Sequence, residues 1–258
     1  MRRLMITLLL FIPLAANAQP LFMKDSLGDR EFFEPWGVGV DIYTMKQDYS
    51  ISSLVIEFPG IDEIDPDAVA VSNDMSHIDV KLDAWVTPFL NVFVLAGHLQ
   101  ATTKVDLSSV PLPGLGISLG VLPFNYSGAV YGGGFNLLYG TDRWFAALNN
   151  TWTEADLSGD YDSSVSSYTA QPRIGLIRGN WTVYAGAMYL KTEESHVGTV
   201  DLPVPGLPPV TFDVELDNIE EWNYALGVGY VFSPKAHLSF EVGFGDREHT
   251  LFNFTYRF

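Results

Sequence analysis

Six ionisable residues fall on one side of short alternating stretches, and their types suit acid–base or ion-pair chemistry. In "HIDVKLDAWV", Asp79, Lys81 and Asp83 share a parity with His77 and Trp85, while Ile78, Val80, Leu82, Ala84 and Val86 take the other. By the same alternation Arg173 in "QPRIGL", Glu241 in "HLSFEVGFG" and Arg257 in "FNFTYRF" stand opposite an apolar face. This parity also collects Asp41, His98, Gln100, Asn136, Gln171 and Asn253. Carboxylates beside a histidine can serve general acid–base catalysis. Enclosed carboxylates among Lys and Arg can instead form an ion-pair network, because buried charges persist only when paired and hydrogen-bonded. Lys81, Arg173 and Arg257 among four carboxylates favour the network, with Arg173 and Arg257 expected on carboxylates among Asp79, Asp83 and Glu241.

Other clusters carry less. His196 and His249 lie near Glu193, Glu194 and Asp246, but no spacing singles out an activated water or a nucleophile. The serines of "SGDYDSSVSSY" (158–168) read as a loop, so no catalytic residue is assigned and the chain is not read as an enzyme. "DEIDPD" (62–67) and "ELDNIEE" (215–221) offer the oxygen ligands that Ca²⁺ and Mg²⁺ prefer, without the glycine-centred spacing of a calcium loop. Weak cation binding at these loops is expected, with no defined metal site and no cofactor. The absence of cysteine removes disulfides and thiolate sites. A net charge of −17 sets the chain against nucleic acid, whose phosphates it would repel.

The elements that position these residues are strands. Alternation recurs over Trp36–Met45, Ser76–Val86, Asn91–Thr103, Asn125–Tyr139, Trp144–Glu154, Ser166–Ile177, Trp181–Thr192, Glu221–Phe232, His237–Gly245 and Glu248–Phe258. Each is long enough to cross a bilayer when tilted. One face is apolar and aromatic, and the other holds glycine, small and ionisable residues; that arrangement belongs to a barrel whose outside meets lipid. "TPFLN", "GTDR", "RGN" and "SPKA" are tight turns, alternating with longer segments at 46–75, 104–124, 155–165 and 193–220. Trp36, Trp144, Trp152, Trp181 and Trp222 fall near strand ends, where two interfacial girdles would sit. Trp85 breaks the pattern and requires a bulge or a place in the lumen. The pattern predicts an all-β, antiparallel transmembrane barrel of about ten strands over 36–258, with short periplasmic turns and long extracellular loops. Inward glycines such as Gly37, Gly132, Gly227 and Gly243 predict open volume inside it.

The N-terminus predicts export. "MRR", the apolar "LMITLLLFIPL" and small residues ending at Ala18 read as a signal peptide over 1–18, leaving a short periplasmic segment over 19–35. At the other end Phe252, Phe254, Tyr256 and Phe258 alternate up to the last residue. With the leader, that terminal strand resembles bacterial outer-membrane β-barrel proteins. The resemblance implies an integral outer-membrane location, contact with lipid and lipopolysaccharide, and recognition of the final strand by the barrel assembly machinery. It implies no solute. A passive small-solute, porin-like channel with acidic and apolar outer loops is the first expectation. A non-conducting structural or interaction barrel with an ion-paired lumen is the second, and an outer-rim hydrolase the third. The related segments "TKVDLSSVPLPGL" (103–115) and "GTVDLPVPGLPPV" (198–210), with a looser copy at 55–65, place apolar Pro–Gly loops at the mouth or in an extended wall.

Overall fold

The structure, a computed structural model, describes residues 33–57, 65–108, 120–160, 162–200 and 209–258. The leader, most of segment 19–35 and the centres of the Pro–Gly segments lie outside the described residues. Among the described residues eleven strands form one antiparallel sheet. They are β1 (Trp36–Glu57), β2 (Ala70–Thr87), β3 (Leu90–Asp106), β4 (Val121–Gly140), β5 (Trp144–Gly159), β6 (Asp162–Arg178), β7 (Trp181–Val200), β8 (Val210–Asn218), β9 (Trp222–Ser233), β10 (Ala236–Phe244) and β11 (Glu248–Arg257). Turns such as Gly179–Asn180, with Gly179 at a φ of 59°, reverse the chain tightly at one end.

The sheet closes twice. Near the short-turn end β1 pairs with β11, from Gly37↔Arg257 to Lys46↔Glu248, and β7 pairs with β9. Further along, β1 and β7 leave those partners and both pair with β8, through Tyr49↔Asn218 and Glu193↔Asp217. A ten-stranded ring thus becomes an eight-stranded one. The fork is held by two side chains. Asn218 accepts from the Thr192 backbone N–H at 2.9 Å and donates to the Leu190 carbonyl at 3.0 Å. Arg247, in the β10–β11 turn, donates to the carbonyls of Met188, Glu220 and Glu221.

Tilt follows from register. Cross-strand partners followed once around the ten-stranded ring lead from Trp181 back to Glu193 on the same strand. That stagger of about twelve residues, at strand spacings of about 4.8 Å and rises of about 3.3 Å, sets a tilt near 40°. Transmembrane barrels tilt by about 35–45°.

Polarity inverts where the strand number changes. Outside the ten-stranded half stand Ile78, Val80, Val94, Ile174, Leu176, Val183, Leu226 and Phe254, all solvent-accessible in the isolated chain. Outside the eight-stranded half the same parities carry Asp48, Lys104, Glu154, Asp156, Ser164, Lys191, Glu193 and Glu215. Inside, the ten-stranded half is charged, whereas the eight-stranded half packs Leu99, Phe124, Tyr126, Val130 and Leu157 in one cluster and Tyr49, Val71 and Leu216 in another. Eight strands enclose only enough space for side chains to fill, and ten leave more.

Three expectations change. The barrel wall has an eleventh strand, because part of segment 193–220 forms β8 and the end of β7. Segment 155–165 is no long loop: β5 runs on to Gly159 and β6 begins at Asp162. Residues 46–57 and 70–75 likewise extend β1 and β2 as wall. His98 and Gln100 face outward and are exposed, since the inward parity of β3 belongs to Asn91, Phe93, Leu95 and Leu99. The lumen does hold open volume, but among the described residues no glycine lines it. A Cβ at Gly227 would lie 2.1 Å from the Tyr184 ring, and one at Gly243 2.0 Å from the His249 ring. These glycines seat a ring from a neighbouring strand. Trp85 is buried in the lumen beside a register shift between Trp85 and Thr87, so both explanations for it hold.

Candidate functional site

All six ionisable residues singled out by parity point into the ten-stranded half. Arg173 grips Glu241 with two bonds, Nε to Oε2 at 2.8 Å and Nη2 to Oε1 at 3.0 Å. His249 Nε2 lies 3.2 Å from the same carboxylate. Arg257 Nη2 donates to Asp83 Oδ1 at 2.6 Å, and Asn91 donates to that oxygen as well. Lys81 Nζ meets Asp41 Oδ2 at 2.9 Å, while Asn253 donates to the other oxygen of Asp41. Among the described residues Asp79 has no Lys or Arg partner; its Oδ2 lies 2.6 Å from His77 Nδ1. Asp79 is 2% exposed and Glu241 1%, so water does little for either charge. Fixed partners must do it instead.

The opposite wall is polar but uncharged. Asn136 donates to Asn91 at 2.9 Å, Asn149 donates to Asn136, and Thr151 donates to Asn149 at 3.0 Å. Between the walls lies a chamber of about 380 Å³. Its lining runs from Arg257 and His237, beside the short turns, to Glu194 and to Leu99 of the apolar cap. At the short-turn end the Arg257 guanidinium lies 5.7 Å from the centroids of both Phe33 and Trp85.

A polar thread crosses the apolar cap. Ser163 Oγ is 2.6 Å from His196 Nδ1, His196 Nε2 is 3.2 Å from Glu194 Oε2, and Tyr49 donates to Glu194 Oε1. This joins a hydroxyl, an imidazole and a carboxylate in the order that nucleophilic catalysis uses. Glu194 lines the chamber; Ser163 and His196 are buried outside it. The sequence shows His196 two residues from Glu194, but nothing local brings Ser163 to them. Ser163 and His196 meet because they are direct partners in the β6–β7 register, which is a long-range property.

The remaining residues singled out in the sequence lie outside the lumen. Phe252, Phe254, Tyr256 and Phe258 face outward, and the Phe258 N–H bonds to the Trp36 carbonyl at 3.0 Å. Trp144, Trp152, Trp181 and Trp222 are exposed, and Trp36 is partly so. Ring contacts connect Phe135, Trp152, Tyr168, Tyr189 and Trp222 into a belt across five strands, with successive centroids 5.1–6.1 Å apart. A second set, Tyr139–Trp144 and Trp181–Tyr230–Phe232, rims the short-turn end. Eight residues separate the sets on β5, β7 and β9, about 26 Å of strand or roughly 20 Å along a tilted axis. A membrane barrel's apolar band is about 25 Å tall. The belt also coincides with the polarity inversion. The chain folds as a transmembrane β-barrel of the outer-membrane type.

No protein-family model matches this barrel, and no curated relative does. Solved structures similar to it include the transport unit of the autotransporter AIDA-I from Escherichia coli, 12% identical, with 93% of this chain and 95% of that one covered at a TM-score of 0.43. The outer-membrane protein OprG from Pseudomonas aeruginosa is 13% identical, with coverages of 88% and 98% and a TM-score of 0.39. The Pseudomonas putida toluene transporter TodX is 10% identical, with coverages of 92% and 91% and a TM-score of 0.32.

The acidic segments are partly structural in this barrel. Asp65 caps a single 3-10 turn over Pro66–Ala68, its side chain accepting from the Asp67 N–H at 3.1 Å. Glu215 and Asp217 lie on β8. Among the described residues no group of three or more His, Cys, Asp or Glu side chains converges as a metal site.

Proposed function

We propose that the protein is exported by its leader to the outer membrane of a bacterium. There it acts as a passive structural or interaction barrel, with its short turns in the periplasm and its acidic eight-stranded half outside the cell. Of the two passive functions considered, the non-conducting one has the stronger support. The apolar cap carries it. Leu99, Phe124, Tyr126, Val130 and Leu157 fill the eight-stranded half, and ions do not cross a packed apolar core. The chamber below is therefore blind at its long-loop end. The Ser163–His196–Glu194 thread serves in this account to satisfy polar groups within the cap, and the protein is not an enzyme.

Planar-bilayer recording of the refolded protein tests this. The expected record has no unitary steps, and Phe124→Ala, which opens the cap, introduces them. Steady ohmic conductance of the wild-type barrel would make it a channel.

A further inference from the structure

We propose that the chamber holds a soft monovalent metal ion, Cu(I) or its analogue Ag(I), on the thioethers of Met45 and Met75 and on His77 Nε2. Of the six methionines in the sequence, Met1, Met5 and Met23 precede the barrel. The other three, Met45, Met75 and Met188, all line this one chamber. Thioethers are soft ligands that favour Cu(I), and imidazole also suits copper.

Register brings the ligands together. Met45 on β1 is the direct partner of Met75 on β2, and both face inward. Directly opposed residues hold their Cβ atoms about 4.5–5.5 Å apart. The three rotatable bonds of each methionine let two sulfurs converge on one ion. His77 lies on the same face of β2, two residues from Met75. Met188 reaches the cluster from β7, its Sδ 3.8 Å from the Tyr43 hydroxyl, and the Tyr43 ring lies 4.9 Å from His77. A methionine is commonly a filler of irregular apolar gaps. Here the buried members of the cap clusters are Leu, Val, Phe, Tyr and Ala; Met75 packs at the edge of one, and Met45 and Met188 belong to neither.

The second observation concerns His77 itself. Its Nδ1 is 2.6 Å from Asp79 Oδ2, and neither ring nitrogen takes part in a hydrogen bond among the described residues. Metal-binding histidines donate their second ring N–H to an outer-shell carboxylate, and Asp79 stands close enough to His77 Nδ1 to take that place. The third observation is charge. Lys81, Arg173 and Arg257 pair with Asp41, Glu241 and Asp83, and Glu194 is bonded to Tyr49 and His196. Among the described residues Asp79 is the chamber carboxylate with no Lys or Arg partner, and it lies directly across from Asp41 in register. A monovalent cation on His77 supplies the missing charge.

The test is titration of the refolded protein in detergent with Ag(I), and with Cu(I) under anaerobic reducing conditions against a chromogenic chelator. One equivalent per chain is expected. Met45→Leu and Met75→Leu conserve side-chain volume and should each weaken binding about tenfold or more. Asp79→Asn should weaken it about 10–100-fold, as loss of an outer-shell carboxylate does. Heat-modifiable gel migration confirms that each variant is a folded barrel. Absence of stoichiometric uptake by the wild type would overturn the proposal. So would wild-type affinity in the folded Met45→Leu/Met75→Leu double variant.

Discussion

Arginine placed at Leu226 and, separately, at Val197 distinguishes the two halves of the wall. Both residues are aliphatic, both face outward, and their exposures are nearly equal at 51% and 48%. Leu226 lies on β9 midway between Trp222 and Tyr230, one from each aromatic belt. Arginine at the bilayer midplane of a barrel costs about 2–4 kcal/mol. Val197 lies on β7 eight residues beyond Tyr189, on the far side of the belt, directly opposite Asp162 on β6 and Asp213 on β8. Arginine there gains two cross-strand carboxylates, each worth roughly 0.2–1 kcal/mol. The two variants should therefore differ by about 2–6 kcal/mol, with Val197→Arg at or above wild-type stability. Reversible urea unfolding in phospholipid vesicles, followed by tryptophan fluorescence with unchanged m-values, measures both. Equal destabilisation by the two, or a loss above about 1 kcal/mol in Val197→Arg, would refute the placement of the boundary.

Arg173→Ala should destabilise the barrel by about 3–5 kcal/mol, because it strands Glu241 in a site that is 1% exposed. The Arg173→Met/Glu241→Gln double variant should lose less than Arg173→Ala, a non-additivity read from the same unfolding curves. Arg247→Met keeps the aliphatic stem but withdraws the donors from three carbonyls at the fork, with an expected loss of roughly 3 kcal/mol and increased hydrogen exchange at β8. A fluorophosphonate probe should leave Ser163 unlabelled in the folded barrel; labelling abolished by His196→Ala would identify a hydrolase instead.

The lipid-facing half was legible because lipid makes the alternation extreme. "WNYALGVGYVF" and "TLFNFTYRF" each set large apolar residues against glycine or polar ones, and that contrast alone orients Arg257 and the strand partners of Glu241. The other half was not legible, because a strand leaving lipid keeps its period while exchanging the chemistry of its faces. Along β7 the outward residues change from Val183, Ala185 and Ala187 to Lys191, Glu193 and Ser195, while the inward ones pass from Tyr184 and Met188 to Leu190 and His196. The apolar outward face therefore ends before Thr192, although the strand continues to Val200. Long-range pairing was equally hidden. Neither β8, which pairs with β1 across more than 150 residues of sequence, nor the meeting of Ser163 with His196 leaves a local signal. On β3, "NVFVLAGHLQ" is apolar on both parities near Val94, Leu95 and Ala96, so polarity drew His98 and Gln100 inward when packing places them outside.

The inversion of polarity at the aromatic belt is most directly tested by a spin-label scan along the outward face of β7. The chain has no cysteine, so a cysteine introduced at residue 183, 185, 187, 189, 191, 193, 195 or 197 is its only thiol. In phospholipid vesicles, labels at 183, 185 and 187 should be relaxed by dissolved oxygen, and labels at 191, 193, 195 and 197 by a water-soluble nickel chelate. The crossover should fall at 189, where Tyr189 joins the belt between Tyr168 and Trp222. Oxygen-dominated relaxation continuing through 197, or chelate access already at 185, would contradict the division of this barrel into a lipid-embedded ten-stranded half and a water-exposed eight-stranded half.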